Sequence, residues 1–133
     1  MPLVQISLLR GKPAPYVRAI ADGVHQALVA TFDTPLHDRF QIIHQLAPED
    51  LIFDADYLDV HRTSDLVVIH IVASKTRSTA QKQAFYQAVA ANLARDPGLR
   101  PQDVQIILSP NEREDWSFGN GVASYVPATP PPA

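Results

Sequence analysis

Met1 and Pro2 open the chain, followed by Leu3-Val4-Gln5-Ile6-Ser7-Leu8. A small residue after the initiator methionine permits that methionine to be removed, and the mature chain would then begin with proline. The nitrogen of Pro2 becomes a free secondary amine held in a rigid ring. Unperturbed α-amino groups titrate near about 7.7–8.0. Such an amine is a general base when neutral and a general acid when protonated. As a nucleophile it can form an iminium with a carbonyl, as catalytic lysines do. Many chains begin Met-Pro and make no use of it, so the pair alone is a weak signal.

The other chemistry-bearing residue types are dispersed. His25, His37, His44, His61 and His70 lack the spacing of a metal site. His44 and His70 fall within apolar runs and read as packed or hydrogen-bonded histidines. Asp54, Asp56 and Asp59 form an acidic stretch without the glycine and glutamate of a calcium loop. Zero cysteines leave no disulfide framework, thiolate zinc site or cysteine nucleophile. No phosphate-binding glycine loop or nucleophile elbow is present. Neither a metal nor a cofactor is expected.

Bulk composition narrows the class. A chain of 133 residues, 46% hydrophobic and 19% charged, has the profile of one small globular domain. Its 11 Lys and Arg against 14 Asp and Glu give a net charge of −3, which argues against nucleic acid as the main partner. No apolar run is long enough to span a membrane. The opening stretch lacks the charged region of a signal peptide. A cytoplasmic location is expected.

The elements that would position Pro2 follow from periodicity. Pro2 to Leu9 reads as a strand, broken by Gly11, Pro13 and Pro15. Val17, Ile20, Val24, Ala27, Leu28 and Thr31 recur at helical spacing, with Pro15 suited to a first turn. That pattern stops before Pro35. A second strand covers Arg39 to His44. The segment from Leu46 to Ser64 is irregular, with a short hairpin expected near Leu51–Phe53 and Tyr57–Val60. Leu66 to Val72 is an apolar strand. Ser78 or Thr79 caps a second helix carrying Phe85, Val89 and Leu93, which ends near Asp96-Pro97-Gly98. Val104 to Leu108 is the fourth strand. Val122–Val126 reads as a further short strand, and the proline-rich segment 127–133 as a disordered tail. The domain is expected to cover 1–126.

The two halves match. Phe40-Gln41-Ile42-Ile43 aligns with Val104-Gln105-Ile106-Ile107 at a shift of 64, which also sets 2–9 over 66–73. Each half is a βαβ unit whose strands pair in parallel. The expected fold is α/β: a four-stranded sheet with two helices on one face. The other face should be substantially apolar, so self-association is expected.

Five stretches carry a family resemblance: Met1-Pro2-Leu3, Asp38-Arg39-Phe40-Gln41-Ile42-Ile43-His44, Asp65-Leu66-Val67-Val68-Ile69, Ser74-Lys75-Thr76-Arg77-Ser78 and Asp115-Trp116-Ser117-Phe118-Gly119. With them the chain resembles the tautomerase superfamily, and within it the malonate semialdehyde decarboxylase-like branch. The resemblance implies a homotrimer with its site at the proline end of the strands. It implies that Pro2 polarises a substrate carbonyl and that Asp38 is catalytic. Two arginines one residue apart would hold a substrate carboxylate, and here those positions read Lys75 and Arg77. Trp116 and Phe118 would wall the site. Lysine gives a compact point charge where arginine gives a planar fork, so substrate choice or rate is expected to differ.

The chemistry is coherent on physical grounds. A β-keto acid losing carbon dioxide leaves an enolate, which a cation beside the carbonyl oxygen stabilises in a dry site. Decarboxylation of a 3-oxo acid such as malonate semialdehyde is the leading expectation. Keto–enol tautomerisation of a 2-oxo acid, with Pro2 neutral, is the alternative. A trimeric interaction protein without activity is a third reading, to which Lys75 gives weight. The expected partner is a small carboxylate-bearing keto or aldehyde compound. Other readings stay open for each residue: Asp38 as a turn residue ahead of a strand, Lys75 and Arg77 as solvated cations, and Trp116 and Phe118 as core or interface aromatics.

Overall fold

Alternation in the first seven strand residues sets up the sheet. In the computed structural model, which describes residues 2–128, Leu3–Leu9 form β1. Val4, Ile6 and Leu8 are fully enclosed on one face. Helix α1 spans Ala14–Phe32, and Pro15 sits in its first turn as the sequence predicts. Strand β2 spans Phe40–Leu46, β3 Val67–Ser74 and β4 Val104–Asn111, while α2 covers Thr79–Arg95. Ser78 caps α2: its hydroxyl accepts from the Gln81 backbone, and the Gln81 side chain accepts from the Ser78 backbone. This reciprocal arrangement satisfies two donors that the first turn would leave open.

The strand order is β2-β1-β3-β4. β1 and β2 are parallel, as are β3 and β4, and the two halves meet antiparallel between β1 and β3. Both helices cover one face, where Val4, Ile6, Ile69 and Ile71 meet Ile20, Val24, Phe85, Val89 and Leu93. The helices touch closely at Gly23, where a Cβ would lie 2.8 Å from Leu93 Cδ2. Asn92 Nδ2 also donates to the Gly23 carbonyl there, at 3.0 Å.

Two expected elements are absent. Residues 51–60 form no hairpin; short 3-10 turns at Pro48–Asp50 and Tyr57–Asp59 occupy this connection. Side chains take the place of strand pairing. Arg62 Nη1 donates to the Tyr57 and Val60 carbonyls at 3.0 and 3.1 Å. Fully buried Asp103 accepts from Thr63 N and Oγ1 at 2.6 and 2.7 Å. Val122–Val126 is likewise not a strand. Ser124 turns the chain back on itself, its N–H donating to the Trp116 carbonyl and its Oγ accepting from Phe118 N. Of the proline-rich tail, residues 129–133 lie outside the described residues.

The face opposite the helices is substantially apolar, with polar pairs set into it. Phe40, Ile42 and Ile107 stand 49%, 46% and 40% exposed on the outer strands. Between them lie polar pairs: His44 with Gln5 and His70 with Ser109, at 3.3 and 2.8 Å. No helix among the described residues is long and apolar enough to cross a membrane.

Candidate active site

Register fixes what meets at one end of the sheet. Leu3 lies opposite Phe40 on β2 and Val72 on β3, while Ser74 lies opposite Asn111 on β4. The starts of β1 and β2 and the ends of β3 and β4 therefore share one edge. Pro2, buried and one residue before β1, sits at that edge. The segments leading away from it carry the other residues that the family resemblance singles out. Asp38 precedes β2, Lys75 and Arg77 follow β3, and Trp116 and Phe118 follow β4.

Asp38 closes a turn, its N–H donating to the Pro35 carbonyl at 3.0 Å. It also lines an open cleft of about 380 Å³ together with Phe40, Phe118 and Tyr125. The turn reading is thus observed, and the same residue stands on the wall of the cleft. Phe118 is the hub of the aromatic wall. Trp116 stacks on it at 5.4 Å with planes 6° apart, Phe40 lies 5.6 Å away, and Tyr125 meets it edge-on at 5.5 Å. Trp116 is itself anchored by Nε1 donating to Asn111 Oδ1 at 2.9 Å. Such contacts favour fixed ring geometry.

Lys75 and Arg77 line a second cleft, floored by Ile71, Ala73 and Leu108. Arg77 is neither loose nor simply solvated. Its Nη2 donates to the Phe32 carbonyl at 2.8 Å and its Nη1 to Thr76 Oγ1 at 2.8 Å. The Phe32 carbonyl belongs to the last turn of α1, where the helix dipole favours a cation. Lys75 is largely exposed and pairs with the carboxylate of Glu112. That hydrogen bond and the Glu112 charge raise the Lys75 pKa above its ordinary 10.5. Arg77 is thus held by backbone, whereas Lys75 shares its charge with an acid. The structure joins Lys75 with Arg77 and Asp38 with Phe118, each pair in its own cleft.

Tyr125 escaped sequence reasoning because the surrounding alternation read as a strand. Its hydroxyl oxygen is shielded from solvent and has no hydrogen-bond partner among the described residues. Burial raises its pKa, the Asp38 charge raises it further, and the Arg113 guanidinium, 4.5 Å over the ring, lowers it. Phe40 was legible as a strand residue within the Asp38–His44 stretch, and it lines the same cleft as Asp38. Lys82, which lines the cleft of Lys75 and Arg77, left a signal in the Ser78 cap that sets it one turn into α2.

His37 lines the cleft beside Asp38, and the other histidines make local contacts. His25 Nε2 lies 2.7 Å from the Leu36 carbonyl, and His61 Nδ1 2.8 Å from Asp56. Among the described residues no three histidine, aspartate or glutamate side chains cluster in a way that would hold a metal ion.

Comparison with known proteins agrees with this architecture. A family described as "Tautomerase enzyme" matches residues 38–119, and a second family of the same description matches residues 2–60. The chain is 37% identical over 126 residues to the probable tautomerase YusQ of Bacillus subtilis (strain 168), covering 95% of this chain and 99% of that protein. Crystal structures of a malonate semialdehyde decarboxylase match with TM-score 0.86 and 33% identity over 92% of this chain and 94% of that one. FG41 malonate semialdehyde decarboxylase, inhibited by 3-bromopropiolate, matches with TM-score 0.86 and 37% identity over 92% and 93% of the two chains.

Proposed function

This chain belongs to the tautomerase superfamily, and from that membership we propose that it is a cofactor-independent enzyme whose mature N-terminus is Pro2. Its reaction is the decarboxylation of a 3-oxo acid such as malonate semialdehyde. One observation carries the reading: the strand register sets Pro2 at the sheet edge from which the Asp38, Lys75–Arg77 and Trp116–Phe118 segments depart. The likeness to two decarboxylases at 33% and 37% identity supports the substrate class.

In this mechanism the substrate carboxylate lies against Arg77, with Lys75 adding positive charge at the rim. The protonated amine of Pro2 donates to the carbonyl oxygen. The bond between the carboxylate carbon and the neighbouring carbon breaks. Its electron pair passes into an enolate stabilised by the Pro2 ammonium, and carbon dioxide leaves. The enolate carbon takes a proton from the Pro2 ammonium, giving the aldehyde, and the neutral amine is reprotonated from solvent after release. Asp38 orients the reacting group and, by its charge, favours the ammonium form of Pro2, against the opposing effect of nearby cations. The Trp116–Phe118 wall excludes water.

A second reading is keto–enol tautomerisation with Pro2 neutral. The description of the Bacillus subtilis relative as a probable tautomerase favours it. In both readings the enzyme is a homotrimer, in which neighbouring copies cover Phe40, Ile42 and Ile107 on the open sheet face.

The test begins with intact mass to establish removal of Met1. The protein and Pro2→Ala are then incubated with malonate semialdehyde and, separately, with phenylpyruvate. Carbon dioxide release supports decarboxylation, and ketonisation alone supports tautomerisation. If neither compound turns over faster than with Pro2→Ala, the enzymatic reading is overturned.

A further inference from the structure

His25 is the one buried histidine among the described residues, at 5% exposure on α1. The proposed reaction makes no use of it. Its Nε2 lies 2.7 Å from the Leu36 carbonyl oxygen, eleven residues along the chain. A carbonyl only accepts, so the ring carries its proton on Nε2 and donates. A buried polar ring needs such a partner. What matters here is which carbonyl it has.

Leu36 is the second residue of the turn that Asp38 closes on the Pro35 carbonyl. Its carbonyl belongs to the central peptide of that turn, the peptide whose orientation separates one turn type from another. Neither Leu36 nor His37 has a positive φ. Turning the central peptide over would require one at His37, and histidine is among the residues that tolerate it. The flip is therefore open to this sequence, and the bond from His25 selects against it. Packing cannot do the same work. Thr34 is buried just before the turn, but Pro35, Leu36 and His37 are exposed, Leu36 at 64%. The imidazole of His25 is the tie between this exposed turn and the interior of α1.

Asp38 leaves that turn to line the cleft with Phe40, Phe118 and Tyr125. We propose that His25 is a positioning residue for the reaction: its hydrogen bond to the Leu36 carbonyl sets the turn that presents Asp38 to the cleft. The inference rests on the enzymatic reading of Asp38 and adds to it a residue that touches no substrate. His25 acts on the turn before Asp38, and the contacts of Arg39 act on the strand after it.

Three replacements in the full-length protein test this. His25→Leu removes the donor, His25→Asn keeps an amide that stops short of the Leu36 carbonyl, and His25→Gln returns an amide donor near the place of Nε2. The position of Asp38 is read without turnover from the Tyr125 phenol, whose pKa is raised above 10.0 by burial and then by the Asp38 charge. Carbon-13 tyrosine resonances follow its titration, with the signal assigned among the four tyrosines by Tyr125→Phe. In His25→Leu and His25→Asn the Tyr125 pKa should fall toward 10.0 as Asp38 moves away, and His25→Gln should keep the wild-type titration. With malonate semialdehyde, kcat should fall about tenfold in the first two variants, as a reacting group is misplaced, while KM stays within about twofold. His25→Gln should recover most of the rate. An unmoved Tyr125 titration in the variants without a donor, an unchanged kcat in them, or a His25→Gln protein that behaves like His25→Asn would overturn the proposal. If His25→Leu does not fold, the comparison of Gln with Asn decides. A wild-type protein without turnover would remove the reaction, while the titration would still decide whether His25 places Asp38.

Discussion

Arg77 donates from Nη2 to the Phe32 carbonyl at 2.8 Å and lies over the ring of the same residue, its guanidinium carbon 5.2 Å from the centroid. One side chain thereby ties the β3–α2 connection to the end of α1. Phe32 in turn packs on Phe85 of α2 at 4.7 Å, so the guanidinium is referenced to the core of both helices. Fixing the fork before substrate arrives lowers the ordering cost of binding a carboxylate.

Arg77→Lys keeps the charge and loses both the fork and the planar stack. It should lower kcat/KM about tenfold, and Arg77→Ala about a hundredfold, because a two-point carboxylate contact becomes a point charge and then nothing. Arg77→Ala should also cost about 1–2 kcal/mol of stability, as a partly exposed charged hydrogen bond is lost. Steady-state kinetics with thermal unfolding reads both. Equal activity in all three proteins would remove Arg77 from the site.

Glu112 occupies the ammonium of Lys75 and, in the proposed mechanism, competes with substrate for it. In Glu112→Gln the partner is neutral, and the Lys75 pKa should fall back toward 10.5, because the hydrogen bond and the charge of Glu112 are what raise it. The freed ammonium should lower KM for a carboxylate substrate by a few-fold, with kcat little changed. The sign of the linkage follows from the raised pKa. Any stability from this pair is present below the unfolded lysine pKa and is lost as pH rises through the higher folded value. The alkaline limb of the unfolding curve should therefore flatten in Glu112→Gln, while neutral stability should fall only slightly, since both side chains are largely exposed.

How much of this was legible beforehand divides along chain distance. β1 and β3 were readable because Val4, Ile6, Val67, Ile69 and Ile71 set a local pattern that burial confirms. The paired halves gave the topology, and topology brought the segments of Asp38, Arg77 and Trp116 to the edge where Pro2 sits. The connection at 51–60 was misread because its partners are remote: Asp103 lies 40 residues from Thr63. The role of Arg77 came from resemblance, and its Phe32 contact, 45 residues away, has no local signature. Tyr125 was hidden because alternation around it mimics a strand, and only the Ser124 turn brings its ring to Phe118.

Tyr125→Phe separates stability from function. The hydroxyl is buried without a partner among the described residues, and such a group costs about 1–3 kcal/mol. Removing it should leave the melting temperature unchanged or raise it by a few degrees. Burial, first, and the Asp38 charge, second, hold the phenol above its ordinary pKa of 10.0. It is therefore a donor at neutral pH. A substrate oxygen in the cleft would accept from it, so kcat/KM should fall about tenfold. Ultraviolet titration of Asp38→Asn should show the tyrosine pKa lowered toward 10.0, as one of its two raising causes is gone. A Tyr125→Phe protein that loses stability and keeps full activity would assign the hydroxyl a structural role.

The placement of Asp38 depends on its neighbour. Arg39 Nη2 lies 2.6 Å from Asp22 on α1, and Arg39 Nε donates to Gln41 Oε1 at 2.9 Å. Gln41 Nε2 closes the chain of contacts by donating to the Ala21 carbonyl at 2.8 Å. This network pins the start of β2 to α1 one residue beyond Asp38. Arg39 is the main cause holding the Asp22 pKa below its ordinary 3.8, with Arg18 adding to it. A depressed folded pKa stabilises the protein above the unfolded value and ceases to do so as pH falls through the folded value. Asp22→Asn should therefore flatten the acid limb of stability below about pH 4 and change neutral stability only slightly, since Asp22 is substantially exposed. Arg39→Ala removes the pin itself. Its kcat should fall several-fold while KM holds, because Asp38 shifts relative to Pro2 whereas the proposed carboxylate anchors that follow β3 do not move. If kcat is unaffected by Arg39→Ala, Asp38 is positioned without the Arg39 network.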